Sequence, residues 1–533
     1  MNTWYAAMDC VDAIVIGSGP GGAFAAYGLR GKRVLVLDVG RDAPTDARLS
    51  GNVYHLRRTR DDLFPELIGE EFESLHNLHN RPISLKLKSP FMSFVVRDWR
   101  RLTPVVSKTF EGVISLAKGG LANAWGAGVY RFTDRDLRDF PISVEDLQPF
   151  YDELTSHIGV SGANDDLTPY FAHDEALLPP LALSPLFSEL FARYGQARAD
   201  FARERTFLGR PRLAVLTQPW NGRAAYQYEN LEFFQPHIPA IYTPAYTIDQ
   251  LRSEGAITYL SGRLVERFHE RDGQVRVYAR NLDTGEAEVW CGRKLCIAAG
   301  TLNTARIVLQ SAAEYDKRLP VLDNPMACIP FFSLGRIGAG LAANDSSLAQ
   351  LNWIVDDLDS GETIQGTLYG ATGPLRSDVL FTLPLSFRAN LTLLKHVAPA
   401  AGLLMLFYPG IETPQSYVRL RSSGELEVEF APTGGNPAIE RKIIRLLRRI
   451  GYLSHPALIE RPGMGQALHY AGVLPMRAEP GPFETHADGR LSGTAHVHIV
   501  DGACFSRLPS KNLTFTIMAN ALRIGRRLAH ELS

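Results

Sequence analysis

The chain has 533 residues, 45% hydrophobic and 21% charged, with a formal net charge of -1. At roughly 150 residues per domain this length predicts about two to four domains around a sizeable core, the composition of a soluble globular protein. The near-neutral balance excludes a long-range pull toward nucleic acid or anionic lipid, and five scattered cysteines without a CxxC pair exclude a disulfide framework, a zinc site or an iron–sulfur site.

Residues Met1 to Cys10 lack a basic segment followed by an apolar run, so no secretory leader is expected, and reduced cysteines in a cytoplasmic setting fit best. Asp12–Gly17 is an apolar, β-branched run that predicts a buried strand. A glycine turn, an alanine-rich helix over Ala23–Arg30 and a second buried strand over Arg33–Asp38 complete a βαβ unit of a parallel sheet. The turn reads Gly17-x-Gly19-x-x-Gly22. Its first glycine permits the tight bend, its second clears room for a pyrophosphate, and its third lets helix and strand pack closely. The helix start offers free N–H groups to phosphate, and Asp38, about 20 residues on, suits ribose hydroxyls. An ordinary tight turn is the bland alternative, and the fingerprint alone leaves FAD and NAD open.

Periodicity weakens between 51 and 107, where His76 and His79 lie three apart without a carboxylate pattern, so no metal site is expected. Trp220, Tyr226, Tyr228, Phe233, Phe234 and Tyr242 form an aromatic run suited either to core packing or to stacking on a sugar ring. Ile257–Val265, Val275–Arg280 and Glu288–Ile297 predict an antiparallel meander that returns to the sheet at Lys294–Ala298. Val397 to Tyr408 is an uncharged apolar stretch. It is shorter than the roughly 20 residues of a membrane span, so a buried strand or loop is expected, with shallow membrane contact left open. Helices follow over Asn436–Ile450 and Phe515–Leu532. His496 and His498 share one strand face, where packing is expected.

Three blocks carry a family likeness. They are Gly119-Gly120-Leu121-Ala122-Asn123-Ala124-Trp125-Gly126, Ile297-Ala298-Ala299-Gly300-Thr301, and His498-Ile499-Val500-Asp501-Gly502 with Pro509-Ser510-Lys511-Asn512-Leu513-Thr514. In this order they resemble the glucose–methanol–choline (GMC) oxidoreductases. The resemblance implies an α/β fold in which a Rossmann-type FAD-binding domain, built from discontinuous segments (1–170, 250–330 and 465–533), carries an inserted α+β substrate-binding domain (171–249 and 331–464). It places FAD against Gly17, Gly19, Pro20, Gly21, Gly22, Asp38, Gly119, Gly120, Asn123, Ala124, Trp125, Val265, Ala299, Gly300, Asp501, Gly502, Asn512, Leu513 and Thr514. The isoalloxazine is expected under Gly119–Trp125. Some relatives tether their flavin through a histidine in this loop; Ala124 stands there, so non-covalent FAD is expected.

The same resemblance makes His469 the general base and Asn512 the group holding the substrate oxygen, for hydride transfer from an alcohol to FAD N5. The chain departs from the family at Val473, where threonine is usual, and at Leu513, where proline is usual. The substrate expected is a small molecule, with a sugar, glycoside or polyol favoured and a hydrophobic alcohol such as a sterol as the alternative. O2, a quinone or another carrier would take the electrons. A non-redox lyase on the same fold is the competing function, and no nucleic acid or transmembrane segment is expected.

Overall fold

Val11–Ile16 (β1) folds as a strand because its β-branched run buries both faces. It is followed by Pro20–Gly28 (α1) and Val34–Leu37 (β2). In this computed structural model the described residues are 10–44, 49–70, 74, 85–340, 342, 344–371, 384–431 and 435–533; His76 and His79 lie outside them. The chain continues through Val105–Val106 (β3), Val144–Ile158 (α2), Pro185–Gln196 (α3), Thr206–Gly209 (β4) and Pro244–Ser253 (α4). A meander follows: Thr258–Leu260 (β5), Arg263–Arg271 (β6), Gln274–Asn281 (β7) and Ala287–Ile297 (β8), leading into Thr301–Ser311 (α5).

These strands build the first sheet in the order β5-β2-β1-β8-β7-β6. β5, β2, β1 and the second half of β8 run parallel, whereas β6, β7 and the first half of β8 are antiparallel. The long strand β8 therefore couples the meander to the Rossmann core, as the alternating pattern predicted. Val497–Ile499 (β16) pairs in parallel with the end of β8, and Thr514–Glu531 (α8) packs on α1. Small residues make that helix contact possible: a Cβ on Gly28 would lie 2.9 Å from the Leu522 carbonyl oxygen, and one on Gly525 2.6 Å from that of Ala25.

The second sheet is antiparallel. It contains Met326–Phe332 (β10), Leu351–Asp357 (β11), Glu362–Gly370 (β12) and Ala401–Phe407 (β13), in the order β10-β13-β12-β11-β4. Most of the run 397–408 is thus the interior sheet strand Ala401–Phe407, preceded by the short turn Ala398–Ala400, and no helix among the described residues is long and apolar enough to cross a membrane. One face packs Ile329, Leu404, Leu406, Leu368 and Trp353 against α3 and Pro437–Arg449 (α7). On α7 the apolar positions Ile439, Ile443, Leu446 and Leu447 recur at helical spacing, and Asn436 caps its start by accepting from Ala438 and Ile439 N–H. The opposite face carries four cross-strand rows, Met326–Phe407–Gln365, Cys328–Met405–Thr367, Pro330–Leu403–Tyr369 and Phe332–Ala401, which turn toward the cavity described below, although Gln365 is buried and does not reach its wall. Phe387–Val397 (α6) leads into β13.

A small third sheet joins β3 and Leu319–Pro320 (β9) to the hairpin Tyr417–Leu420 (β14) and Leu426–Glu429 (β15). Between the layers, Leu213–Leu216, Tyr226 and Tyr242 belong to the first core.

The expectation that the cysteines stay unpaired is overturned at Cys10 and Cys291, which form a disulfide with a Cα–Cα separation of 4.7 Å. The cause is strand pairing. Val11 at the head of β1 lies opposite Gly292 of β8, which brings Cys10 beside Cys291 across a sequence separation of 281.

Candidate active site

A single cavity of 1420 Å³ runs from the glycine loop to the exposed face of the second sheet. That exceeds the 300–1,000 Å³ or so that holds a drug-sized ligand, leaving room for a dinucleotide and a substrate together. At its inner end Gly17 has φ +90°, a left-handed conformation, and any Cβ there would collide with the Ala298 carbonyl. A Cβ on Gly21 would strike the Val500 carbonyl. No side chain caps the start of α1, and its first turn carries no acid, so its N–H groups are free to take an anion.

Asp38 closes β2 at the cavity wall, buried, and accepts from Ser18 Oγ and from Tyr259 OH at 3.1 Å. Burial raises its carboxyl to about 6, against the pull of those hydrogen bonds. Asp501 is buried likewise and raised to about 6. Its oxygens accept from Gly300 N at 2.9 Å, Thr304 Oγ1 at 2.6 Å and Ala503 N at 2.9 Å. Asp501 thereby fixes the Gly300 turn at the head of α5, and Ala299, Gly300, Gly502 and Val265 all reach the wall.

The segment from Gly119 bridges the two ends of the cavity. Gly119 N–H donates to Ser18 Oγ at 3.0 Å, and a Cβ on Gly120 would lie 3.2 Å from Gly19 Cα. Gly119 and Gly120 therefore dock on the glycine loop, and the wall that follows runs from Leu121 past Ala124 and Trp125 to Gly128. A Cβ on Gly128 would come 3.5 Å from the Asn512 carboxamide carbon. Asn123 serves the loop itself: its Nδ2 donates to Lys118 O and Gly120 O, and its Oδ1 accepts from Thr243. Of the residues assigned to FAD from the sequence, Gly22, Gly119 and Asn123 do not line the cavity; the others do, as does His469. Gly22 packs against the Gly17 carbonyl. These features fit FAD: a long cavity, a bare glycine floor, an uncapped helix start and a buried carboxylate at the end of β2.

Beyond the Gly119–Gly128 wall, His469 and Asn512 face each other, Asn512 Nδ2 lying 3.3 Å from His469 Nε2. Asn324, which the sequence did not single out, decides the imidazole tautomer. Its Nδ2 donates to the carbonyls of Tyr408 at 2.7 Å and Pro509 at 3.0 Å, which can only accept. Its Oδ1, 2.9 Å from His469 Nδ1, must then accept, so Nδ1 carries the proton and Nε2 keeps its lone pair. Burial lowers the His469 pKa to about 4, which keeps the ring neutral at physiological pH. Leu468, just before it, sits at φ +59°, a strained backbone of the kind found where a side chain is aimed for function.

Asn512 is held through the two residues before it. Ser510 Oγ accepts from Gln365 N–H of β12 at 3.0 Å, and Lys511 forms a buried ion pair with Asp136. Leu513 and Thr514 line the wall at the start of α8. Of the aromatic run at 220–242 only Phe233 lines the cavity; Tyr226 and Tyr242 are buried in the first core, so the run packs rather than forming a sugar platform. His498 is buried on β16, while among the described residues no cluster of three or more His, Cys, Asp or Glu could hold a metal ion.

No family model matches this chain, and no curated protein matches it. Solved structures do match in fold along nearly its whole length. Pyridoxine 4-oxidase from Mesorbium loti superposes with a TM-score of 0.59 at 13% identity, covering 98% of this chain and 99% of that one. A formate oxidase variant from Aspergillus oryzae RIB40, solved to follow the effect of a mutation on FAD modification, gives a TM-score of 0.60 at 11% identity, covering 98% of each chain. At such identity the likeness shows the fold: an α/β chain with a Rossmann-type dinucleotide domain.

Proposed function

We propose that this chain is an FAD-dependent oxidoreductase of the GMC type that oxidises an alcohol to a carbonyl compound. The carrying observation is the chain Asn324–His469–Asn512 at the cavity wall, which leaves one basic nitrogen and one amide donor facing the same space. His469 Nε2 takes the hydroxyl proton, while Asn512 Nδ2 holds the oxygen from which that proton leaves. Bound FAD supplies the two-electron acceptor, taking the carbinol hydride at N5. The glycine loop and α1 hold the dinucleotide phosphates, Asp38 the ribose, and Leu121–Trp125 the flavin end. No histidine occurs between residues 117 and 128, and Ala124 stands where relatives attach their flavin, so FAD is held without a covalent bond.

Anaerobic mixing with an alcohol panel tests this reading. A true substrate bleaches the flavin, and His469→Ala slows bleaching by about 10²–10⁴-fold, the usual worth of a general base. A variant that bleaches as fast as the parent removes His469 from the chemistry. Turnover of a cyanohydrin with the flavin still yellow would favour the lyase instead.

A further inference from the structure

The proposed chemistry leaves one end of the cavity without a task. The four rows of the second sheet begin beside the catalytic pair, where the Phe407 ring lies 5.3 Å from the His469 ring, and end at Phe332–Ala401. From Phe407 to Ala401 the strand advances six residues, roughly 20 Å at about 3.3 Å per residue. Side chains of these rows on the cavity wall carry three polar groups, the weakly polar thiol of Cys328 and the hydroxyls of Thr367 and Tyr369, and none ionises near neutral pH: burial raises the Cys328 thiol and the Tyr369 phenol each to about 12. The far end is walled by Leu394 and Val397 of α6 and by the exposed Leu458. Beside the rows, Glu460 and Arg461 also line the cavity, exposed at its rim outboard of the edge strand β10, with Arg461 paired to Glu440. Lys86 is buried in the wall near the Leu121–Trp125 segment and donates to the Trp125 carbonyl at 2.6 Å.

Resting on the alcohol-oxidation reading, we propose that the substrate is an extended apolar alcohol, its hydroxyl at His469 and Asn512 and its hydrocarbon body laid along the four rows. A sugar or polyol would have to strip water from a hydroxyl at nearly every carbon and set it against methionine, leucine and phenylalanine, which offer no replacement hydrogen bonds. A hydrocarbon body suffers no such loss, and each methylene it buries adds to binding. The two hydroxyls on the rows can orient a single polar substituent part-way along such a molecule. They are too few to specify a carbohydrate.

The experiment is anaerobic flavin reduction by primary alcohols from butanol to dodecanol, run beside glucose, glycerol and an ω-hydroxy fatty acid. The expected result is a kcat/KM that rises about threefold to fourfold per methylene until the rows are filled. Leu403→Asn, close in size and set in the third row, should flatten that rise for chains long enough to reach it, with FAD content and thermal midpoint recorded as controls for folding. A profile led by glucose or glycerol, or flat with chain length in the parent protein, overturns the proposal while leaving alcohol oxidation intact. Preference for the ω-hydroxy acid also overturns it, since Lys86 rather than the rows would then select the substrate. Failure of every alcohol to bleach the flavin defeats the underlying reading instead.

Discussion

Asn324 spends both amide hydrogens on main-chain carbonyls, so its oxygen is the only partner it can offer His469. That arrangement has a readable pH signature. In the proposed mechanism the neutral imidazole is the active form, and its fraction falls as pH drops through the folded pKa of about 4, so the acid limb of flavin reduction is expected near there. Asn324→Asp would set a carboxylate against Nδ1, favour the imidazolium and raise the pKa by about 1–3 units, carrying the acid limb to higher pH. Stopped-flow reduction rates between about pH 4 and 8 check this, and an acid limb that stays put would mean Asn324 does not govern the base. His469 and Asn512 were legible because each stands in a short motif with its own glycine or serine neighbours. Asn324 was not, since it lies 145 residues from His469 in an Asp-Asn-Pro turn that looks like any other.

Elements whose partners are close in sequence were easiest to read. β1, α1 and β2 follow from one apolar run, one glycine turn and a second apolar run, and the meander from alternation about the Asp283–Gly285 turn. The second sheet was harder, because β4 reaches β11 across a sequence gap of well over a hundred residues and apolar runs do not name their partners. The glycine turn gives the sharpest test at this scale. A Cβ on Gly22 would be driven into the Gly17 carbonyl, a main-chain atom that cannot rotate away. Gly22→Ala must therefore lift α1 off β1 and tilt its N–H groups away from the phosphates, at a cost of about 1–3 kcal/mol in stability from overpacking. The expected outcome is purified protein with most of its FAD lost, measured from the ratio of flavin to protein absorbance. Gly195→Ala in α3, where a Cβ meets nothing within 4 Å, serves as the control and should keep its flavin. Equal FAD content in the two variants would show that the loop tolerates the methyl group.

At the scale of the whole molecule, the Rossmann sheet gathers segments from both ends of the chain and is tied at Cys10–Cys291. Neither cysteine announces its partner in the sequence, because the pairing depends on β1 lying beside β8, which only the three-dimensional register supplies. The bond closes a loop with a sequence separation of 281, so breaking it frees a large part of the unfolded ensemble. Cys291→Ser is expected to cost about 2–4 kcal/mol, seen as a lower denaturant midpoint, and the parent should lose a similar amount when reductant is added. Thiol counting separates this from simple loss of packing. The unreduced protein, once denatured, should show the three free thiols of Cys296, Cys328 and Cys504, and full reduction should reveal all five. In the folded protein those three should react slowly, because burial raises each thiol well above its ordinary range and keeps the reactive thiolate scarce. Five thiols before reduction, together with a reductant-insensitive midpoint, would mean that pairing within the sheet alone holds the two ends of the chain.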